Sequence, residues 1–421
     1  MTASTVNSTS LQSSVQNYIL VTAAYWGLTI TDGALRMLVL LYFDQLGYSP
    51  LEIAFLFLFY EVFGVITNFL GGWIGSQFGL KLTLYGGIGL QVFALAMTSI
   101  VNHSWPHGLE VLYVMTAQAL SGIAKDLTKM SSKSAIRLVV PQEAQSTLFK
   151  WVAILTGSKN AFKGIGFFVG SVLLAWLGFA NALLAMATWL FLIMLTGFFL
   201  PKGMGAIEAK VKFTQLFSES REINILSAAR FFLFGARDVW FVVGLPVFLY
   251  NTLGWKFEQV GGFLAFWVIG YGIIQSLAPN ILSILGSGEV PKAETIKSWT
   301  FYLIWVPAAI AISLQIGIPP VVAIVAGLTV FGVVFAFNSA VHSYLVLAFS
   351  DDNKVVRNVG FYYMSNSGGR LAGTMLSGLV FQLYGLAGCL WVSTFFVLAA
   401  RVISLALPDP QKVVAWKPGD E

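Results

Sequence analysis

Charged side chains occur inside long apolar stretches of this sequence. The bases found there are Arg36, Lys125, Lys150, Lys159, Lys163, Arg230, Arg237, Arg370 and Arg401, and the acids are Asp32, Glu61, Asp126 and Asp238. A base at the centre of an apolar helix in lipid costs about 2.5–3.5 kcal/mol on insertion scales, so it persists only where it is paired or faces water. Because four acids cannot neutralise nine bases, the pattern predicts an excess of five buried positive charges and a binding site for an anion.

We expect eight side chains, seven of these bases and one histidine, to bind that anion. They are Arg36, Lys125, Lys159, Lys163, Arg230, Arg237, Arg370 and His342. Arginine holds oxyanions with a bidentate fork, whereas lysine acts as a point charge. Lys159 and Lys163 are four residues apart and share a helix face, and neither they nor Arg370 has an acid nearby in the sequence. The four acids are candidates for proton coupling or for counter-ions.

Several of the same residues also have a structural explanation. Acids close in sequence are available as partners in the pairs Arg36–Asp32 and Arg237–Asp238. Lys125 and Asp126 lie near the inner membrane interface, which their side chains can reach. Lys150 and Arg401 lie near the ends of apolar stretches, where long side chains reach the interface. Glu61 is a lone acid, and is either the counter-ion of a base on another helix or a proton carrier. Polar packing is the alternative role of His342.

Composition excludes several classes of protein. Of 421 residues, 57% are hydrophobic and 10% are charged, and the mean hydropathy is +0.79. A soluble domain carries roughly 25% charged residues, so a soluble multidomain enzyme is excluded. The single cysteine, Cys389, and three separated histidines offer no metal centre, and the sequence contains no phosphate-binding loop motif. We therefore expect no enzyme activity, no cofactor, no metal and no nucleic-acid partner.

Twelve apolar stretches are long enough to cross a membrane at about 20 residues each. They lie near 18–43, 51–74, 82–101, 109–128, 146–177, 181–200, 225–250, 257–279, 298–316, 320–349, 357–383 and 386–406. Fourteen loop Lys and Arg residues fall on one side of the predicted membrane and only Lys256 falls on the other. By the positive-inside rule both termini are cytoplasmic. The predicted location is the inner, or plasma, membrane, with lipid as the surrounding partner.

The most charged stretch divides the chain into two halves. We expect a polar tail at 1–17, a six-helix half at 18–200, a cytoplasmic linker at 201–224, a second six-helix half at 225–406 and a tail at 407–421. Residues 46–48 (Leu-Gly-Tyr) resemble residues 253–255 (Leu-Gly-Trp), which indicates a repeat. Two parallel six-span halves are the plan of the major facilitator superfamily. The predicted fold is therefore an all-α membrane protein of that type.

Four longer strings carry a more specific resemblance. They are YWGLTITDGALR at 25–36, SGIAKDLTKMS at 121–131, TGSKNAFKG at 156–164 and FGARDVWF at 234–241. With them the chain resembles, over about residues 18–406, the organoarsenical efflux permeases (ArsJ type) of the major facilitator superfamily. The resemblance implies export of 1-arseno-3-phosphoglycerate, and hence arsenate resistance. It also implies a functional link to the glyceraldehyde-3-phosphate dehydrogenase that makes this ester from arsenate.

Two other functions remain open at this point. An exchanger of organophosphates and phosphate, or of other organic anions, would need a similarly basic cavity. A non-transporting membrane sensor is the more remote alternative, since it would typically add a soluble output domain. Whether the protein is an arsenical exporter or an anion exchanger, we expect a monomer that binds a small anionic solute.

Overall fold

The regular elements of the described chain are all helices. The computed structural model describes residues 3–135, 145–199, 220–285, 292–349 and 355–408. Its helices are α1 (Ala3–Gln45), α2 (Pro50–Leu56), α3 (Leu58–Ser99), α4 (His107–Ala135), α5 (Gln145–Leu177), α6 (Phe179–Leu195), α7 (Arg221–Phe241), α8 (Gly244–Val247), α9 (Phe257–Leu285), α10 (Ala293–Gln315), α11 (Pro320–Ala348) and α12 (Val355–Ser404). A 3₁₀ turn, Thr196–Phe199, extends α6, and a π-helical turn, Phe248–Thr252, follows α8.

Ten helical segments of the described chain are long and apolar enough to cross a membrane. Helix α4 is not among them, because its charged side chains lower its hydropathy. The last segment, Gly360–Ser404, covers most of the final two predicted spans, which are separated where α12 breaks at Gly385 (φ 64°). Helix α3 breaks in the same way at Gly79 (φ 73°), in the predicted loop between spans two and three. The count of twelve spans and their orientation stay predictions.

The domain boundaries of the sequence analysis are only partly covered by the structure. Helix α1 begins at Ala3, so residues 3–17 of the predicted tail are helical and continuous with the first span. Most of the predicted linker, 200–219, lies outside the described residues, and α7 begins at Arg221. The end of the predicted C-terminal tail, 409–421, also lies outside them.

Close helix packing holds each half together and joins the two halves. Helix α1 packs on α5 in the first half, and α7 packs on α12 in the second. Glycines permit these approaches, since a Cβ at Gly166 would lie 2.4 Å from the Ile30 carbonyl oxygen and one at Gly369 would lie 2.0 Å from that of Phe231. Between the halves, α5 packs on α9, and α2 and α3 pack on α12. The bases on α1, α4, α5, α7 and α12 are thereby directed towards one central space.

Two positions separated by the offset of the predicted repeat are in contact. Asp44 and Asn251 are 207 residues apart, which is the offset of the repeated sequence, and the amide of Asn251 donates a hydrogen bond to Asp44 Oδ1 at 3.1 Å. Ile53 and Val260, which share that offset, are both fully buried. The ends of the first and the seventh predicted spans therefore meet at the Asp44–Asn251 hydrogen bond.

The outward surface of the bundle is apolar. Phe198, Ile284 and Trp176 expose 83%, 81% and 78% of their surface, respectively. A soluble monomer rarely exposes large continuous apolar patches, and the bilayer accounts for this surface because hydrocarbon chains would cover it.

The contact between α7 and α12 gives a first prediction. Gly369→Ala places a methyl group against the Phe231 carbonyl, and overpacking of this kind costs about 1–3 kcal/mol. We expect the melting temperature of the purified protein in detergent to fall by several degrees. Gly86→Ala is the matched control, because a Cβ there meets no atom within 4 Å and alanine favours the helix. Equal melting temperatures for the two variants would contradict the assigned contact.

Candidate functional site

A basic cavity of about 180 Å³ lies at the centre of the bundle. Eight bases and three acids line it, among other residues: Arg36, Lys125, Lys129, Lys159, Lys163, Arg230, Arg237, Arg370, Asp32, Asp126 and Asp238. Seven of the eight predicted ligand residues are in this set. The exception is His342, which is fully buried on α11 and is not among the lining residues.

Glu61 is the carboxylate that ties the two halves together. It lies on α3 and is 1% exposed. Its Oε1 accepts from Arg36 Nη2 of α1 at 2.6 Å and from Arg370 Nη2 of α12 at 2.8 Å. Of the two roles open for Glu61, the structure therefore supports a counter-ion shared by two arginines. The expectation that Arg36 pairs with Asp32 is wrong, because the Arg36 side chain reaches across to α3.

Asp238 is a second shared carboxylate, on α7. Arg237 donates to its Oδ1 from Nη2 at 2.5 Å and from Nε at 2.6 Å. Arg370 Nε lies 3.3 Å from Asp238 Oδ2. Arg370 thus bridges Glu61 of the first half and Asp238 of the second. The predicted pair between Arg237 and Asp238 is present.

The remaining two acids have separate partners. Asp126 on α4 accepts from Lys129 Nζ at 2.6 Å and lies 3.5 Å from Lys125 Nζ. Asp126 is 1% exposed, so its carboxylate is buried in the protein. The alternative that Asp126 extends to the membrane interface is therefore not supported. Asp32 instead accepts a hydrogen bond of 2.6 Å from the hydroxyl of Tyr60.

Arg230 and Lys163 are cavity bases for which the structure shows no ion pair with the residues that it describes. Arg230 on α7 is 3% exposed, and its Nη1 donates to the Ser339 carbonyl at 3.3 Å and to the Ser339 hydroxyl at 3.2 Å. Its guanidinium lies 3.9 Å from the centroid of the Phe234 ring. Lys163 on α5 has its Nζ 5.6 Å from the centroid of the Phe167 ring.

The charges of the site favour an anionic solute. Eight lining bases face the three lining acids, and Glu61 lies directly behind the wall, so the net formal charge is +4. A fixed charge interacts more strongly in a poorly solvated cavity than in water. Within the described part of the chain, no three His, Cys, Asp or Glu side chains come close enough to hold a metal ion.

Sequence reasoning missed one base and the polar side chains around it. Lys129 was assigned to a cytoplasmic loop, but α4 continues beyond it and Lys129 lines the cavity. The available signal was its spacing, since Lys129 follows Lys125 by one helical turn on the same face. Its Nζ also donates to Asn68 Oδ1 at 2.5 Å. Gln275, whose Nε2 donates to the Ser339 hydroxyl at 3.1 Å, also lines the cavity and was not predicted.

Comparisons with known proteins agree on the fold. The sequence matches the profile of the Major Facilitator Superfamily over residues 18–296. A Na(+), Li(+), K(+)/H(+) antiporter of Planococcus maritimus is 29% identical over 113 residues, which are 27% of this chain and 26% of that protein. This chain thus matches about a quarter of the length of that relative. A mutant of the nucleoside transporter NupG has a TM-score of 0.69 at 17% identity, with 94% of this chain and 98% of that chain covered.

The Glu61 ion pairs give a second prediction. Glu61→Gln leaves Arg36 and Arg370 without their shared carboxylate, and removing one partner of a buried pair costs about 3–5 kcal/mol. We expect a drop of several degrees in the melting temperature in detergent. Glu294→Gln is the control, because Glu294 is 66% exposed in its pair with Lys297 and exposed pairs contribute about 0–1 kcal/mol. A drop no larger than that of the control would refute the central role of Glu61.

Proposed function

The chain belongs to the major facilitator superfamily, and we propose that it exports a multivalent organic anion from the cytoplasm by alternating access. The observation that carries this proposal is the cavity with eight bases and three acids. Membership of this superfamily and the likeness to a transporter fold point to membrane transport rather than catalysis. A cationic solute would be repelled by the net positive charge, so the cation antiport named for the Planococcus maritimus relative is not proposed for this chain.

We propose 1-arseno-3-phosphoglycerate as the substrate, on the resemblance of the four strings to the organoarsenical permeases. A phosphate monoester carries a charge of about −1.5 to −2 at pH 7. With a comparable arsenate ester at its other end, the substrate carries a charge of about −3 to −4. This charge is close in magnitude to the net positive charge of the site. In this proposal a glyceraldehyde-3-phosphate dehydrogenase makes the ester in the cytoplasm. The transporter exports the ester across the inner membrane, and the two together confer arsenate resistance.

An exchanger of organophosphates and phosphate is the second candidate, and the same basic cavity favours it. The two functions differ in what they do in a cell and in a vesicle. An exchanger loaded with inorganic phosphate takes up external phosphate by counterflow in proteoliposomes. An arsenical exporter protects cells that contain the dehydrogenase against arsenate. Rapid phosphate counterflow without protection would replace the first candidate by the second.

The proposed function predicts that two cavity arginines are essential. Arg237→Ala and Arg370→Ala should reduce growth in arsenate to that of cells without the transporter, in a host that lacks its own arsenic exporters and expresses the dehydrogenase. Arg→Lys at either position should rescue poorly, since the bidentate fork is lost. Lys297→Gln is the control, because Lys297 pairs with Glu294 away from the cavity. Full resistance in both Ala variants, at equal amounts in the membrane, would contradict the proposal.

The chemistry of arsenic gives a fourth prediction. Trivalent arsenic binds thiolates, whereas an arsenate ester is pentavalent and needs none. Cys389 is fully buried beside Ser377, with its Sγ 3.8 Å from the Ser377 carbonyl oxygen, so its thiol points into the protein and not to lipid. Cys389→Ser should therefore keep full arsenate resistance. Loss of resistance with normal expression would show that transport includes a thiol step.

A further inference from the structure

The carboxylates of the cavity are distributed unevenly over its bases. Arg36, Arg237 and Arg370 each lie within 2.8 Å of a carboxylate oxygen, and Lys125 and Lys129 lie within 3.5 Å of one. Arg230 and Lys163 form no such pair with the residues that the structure describes. An anion arriving at the first group competes with a fixed carboxylate of the protein, whereas an anion arriving at Arg230 or Lys163 does not.

We infer that the transported solute carries two separate anionic groups, one bound by Arg230 of the second half and the other by Lys163 of the first. This inference rests on the proposed function, since it names the class of anion and the two bases that select it. Both side chains line the same cavity. A bis-anion can therefore contact both halves at once, whereas an anion with one charged end contacts only one.

Arg230 has the features of a built oxyanion subsite. It is 3% exposed, and its Nε has no hydrogen-bond partner in the described structure. The ring centroid of the buried Tyr362 lies 5.0 Å from the Arg230 guanidinium. A buried charge without a counter-ion is costly, and an oxyanion would both neutralise the guanidinium and accept a hydrogen bond from its Nε.

The polar residues around Arg230 hold it in place. Its Nη1 is bound to Ser339, and Gln275 Nε2 donates to the Ser339 hydroxyl at 3.1 Å. Asn160 of the first half donates to Gln275 Oε1 at 3.2 Å. The Phe234 ring lies against the guanidinium on one side. The planar fork is thus fixed in orientation before a ligand arrives, which lowers the entropic cost of binding.

Lys163 is the cavity base of the predicted first half for which the structure shows no ion pair with the described residues. It lies 207 residues before Arg370, which is the offset of the predicted repeat and also the separation of Asp44 and Asn251. Arg370 pairs with Glu61 and Asp238. Lys163 has no ion pair among the described residues. The backbone at Lys163 is anchored against Gly33 of α1, where a Cβ would lie 2.7 Å from the Lys163 carbonyl oxygen.

The test compares two stable probes that differ only in their second charged end. Propane-1,3-diphosphonate has an anionic group at each end of a three-carbon chain, and propylphosphonate has one. Binding of each is measured by titration calorimetry on the full chain in lipid nanodiscs. Because a further charge-assisted contact is worth about tenfold or more in affinity, we expect wild type to prefer the diphosphonate by at least about that factor.

Variants at each subsite should remove the preference. Arg230→Gln and Lys163→Gln should each bind the two probes with affinities within about a factor of two to three, since one charged contact is lost. Lys297→Gln should keep the wild-type preference. Arg230→Lys retains the charge without the fork, and we expect it to have an intermediate preference. If Arg230→Gln does not give a single peak on gel filtration, Arg230→Lys replaces it as the test of this subsite.

The outcomes separate this inference from the proposed function. If wild type binds neither probe, the proposal of anion transport fails. If wild type binds both probes equally, the cavity takes anions but the two-subsite inference is overturned. A preference that survives in Arg230→Gln or in Lys163→Gln shows that another base holds the second group, and overturns that assignment.

Discussion

The cost of placing charge inside a membrane is the constraint on which the rest of this structure depends. Arg370 satisfies it by bridging two carboxylates, Glu61 from the first half and Asp238 from the second. Arg36 joins the same chain of ion pairs through Glu61. Because breaking one partner of such a pair leaves a buried charge, the chain holds α1, α3, α7 and α12 around one space, and that space becomes the cavity.

The same constraint distributes the ion pairs unequally between the two predicted halves. Their equivalent positions meet at the Asp44–Asn251 hydrogen bond, yet the carboxylates are not repeated with them. Lys163 and Arg370 are separated by the offset of the predicted repeat, and only Arg370 is paired with acids within the described chain. The two predicted halves therefore present an asymmetric set of charges. Such asymmetry is suited to a solute whose two ends are chemically different.

Much of this architecture could be predicted from local sequence. Apolar length located the helices, and the breaks at Gly79 and Gly385 fall between the apolar stretches that the sequence separates. Most of the site was predictable as well, since a base inside an apolar stretch must face other polar groups, and seven of eight predicted ligand residues line the cavity. Lys129 was missed because its helix continues past the apolar stretch. His342 was included because a polar residue on a span resembles a ligand, although it is buried away from the cavity.

The sequence by itself determined the membrane class and the excess of buried base, because these depend on composition and on spacing along a helix. Only the tertiary structure decided which acid neutralises which base. Asp32 is the acid nearest to Arg36 in the sequence, yet Arg36 binds Glu61 and Asp32 binds Tyr60. Such choices depend on the rotation and separation of packed helices, which close contacts such as that at Gly166 set. A linear pattern contains no such distances, so it could not show that Arg230 and Lys163 lie apart from every carboxylate with which the described residues could pair them.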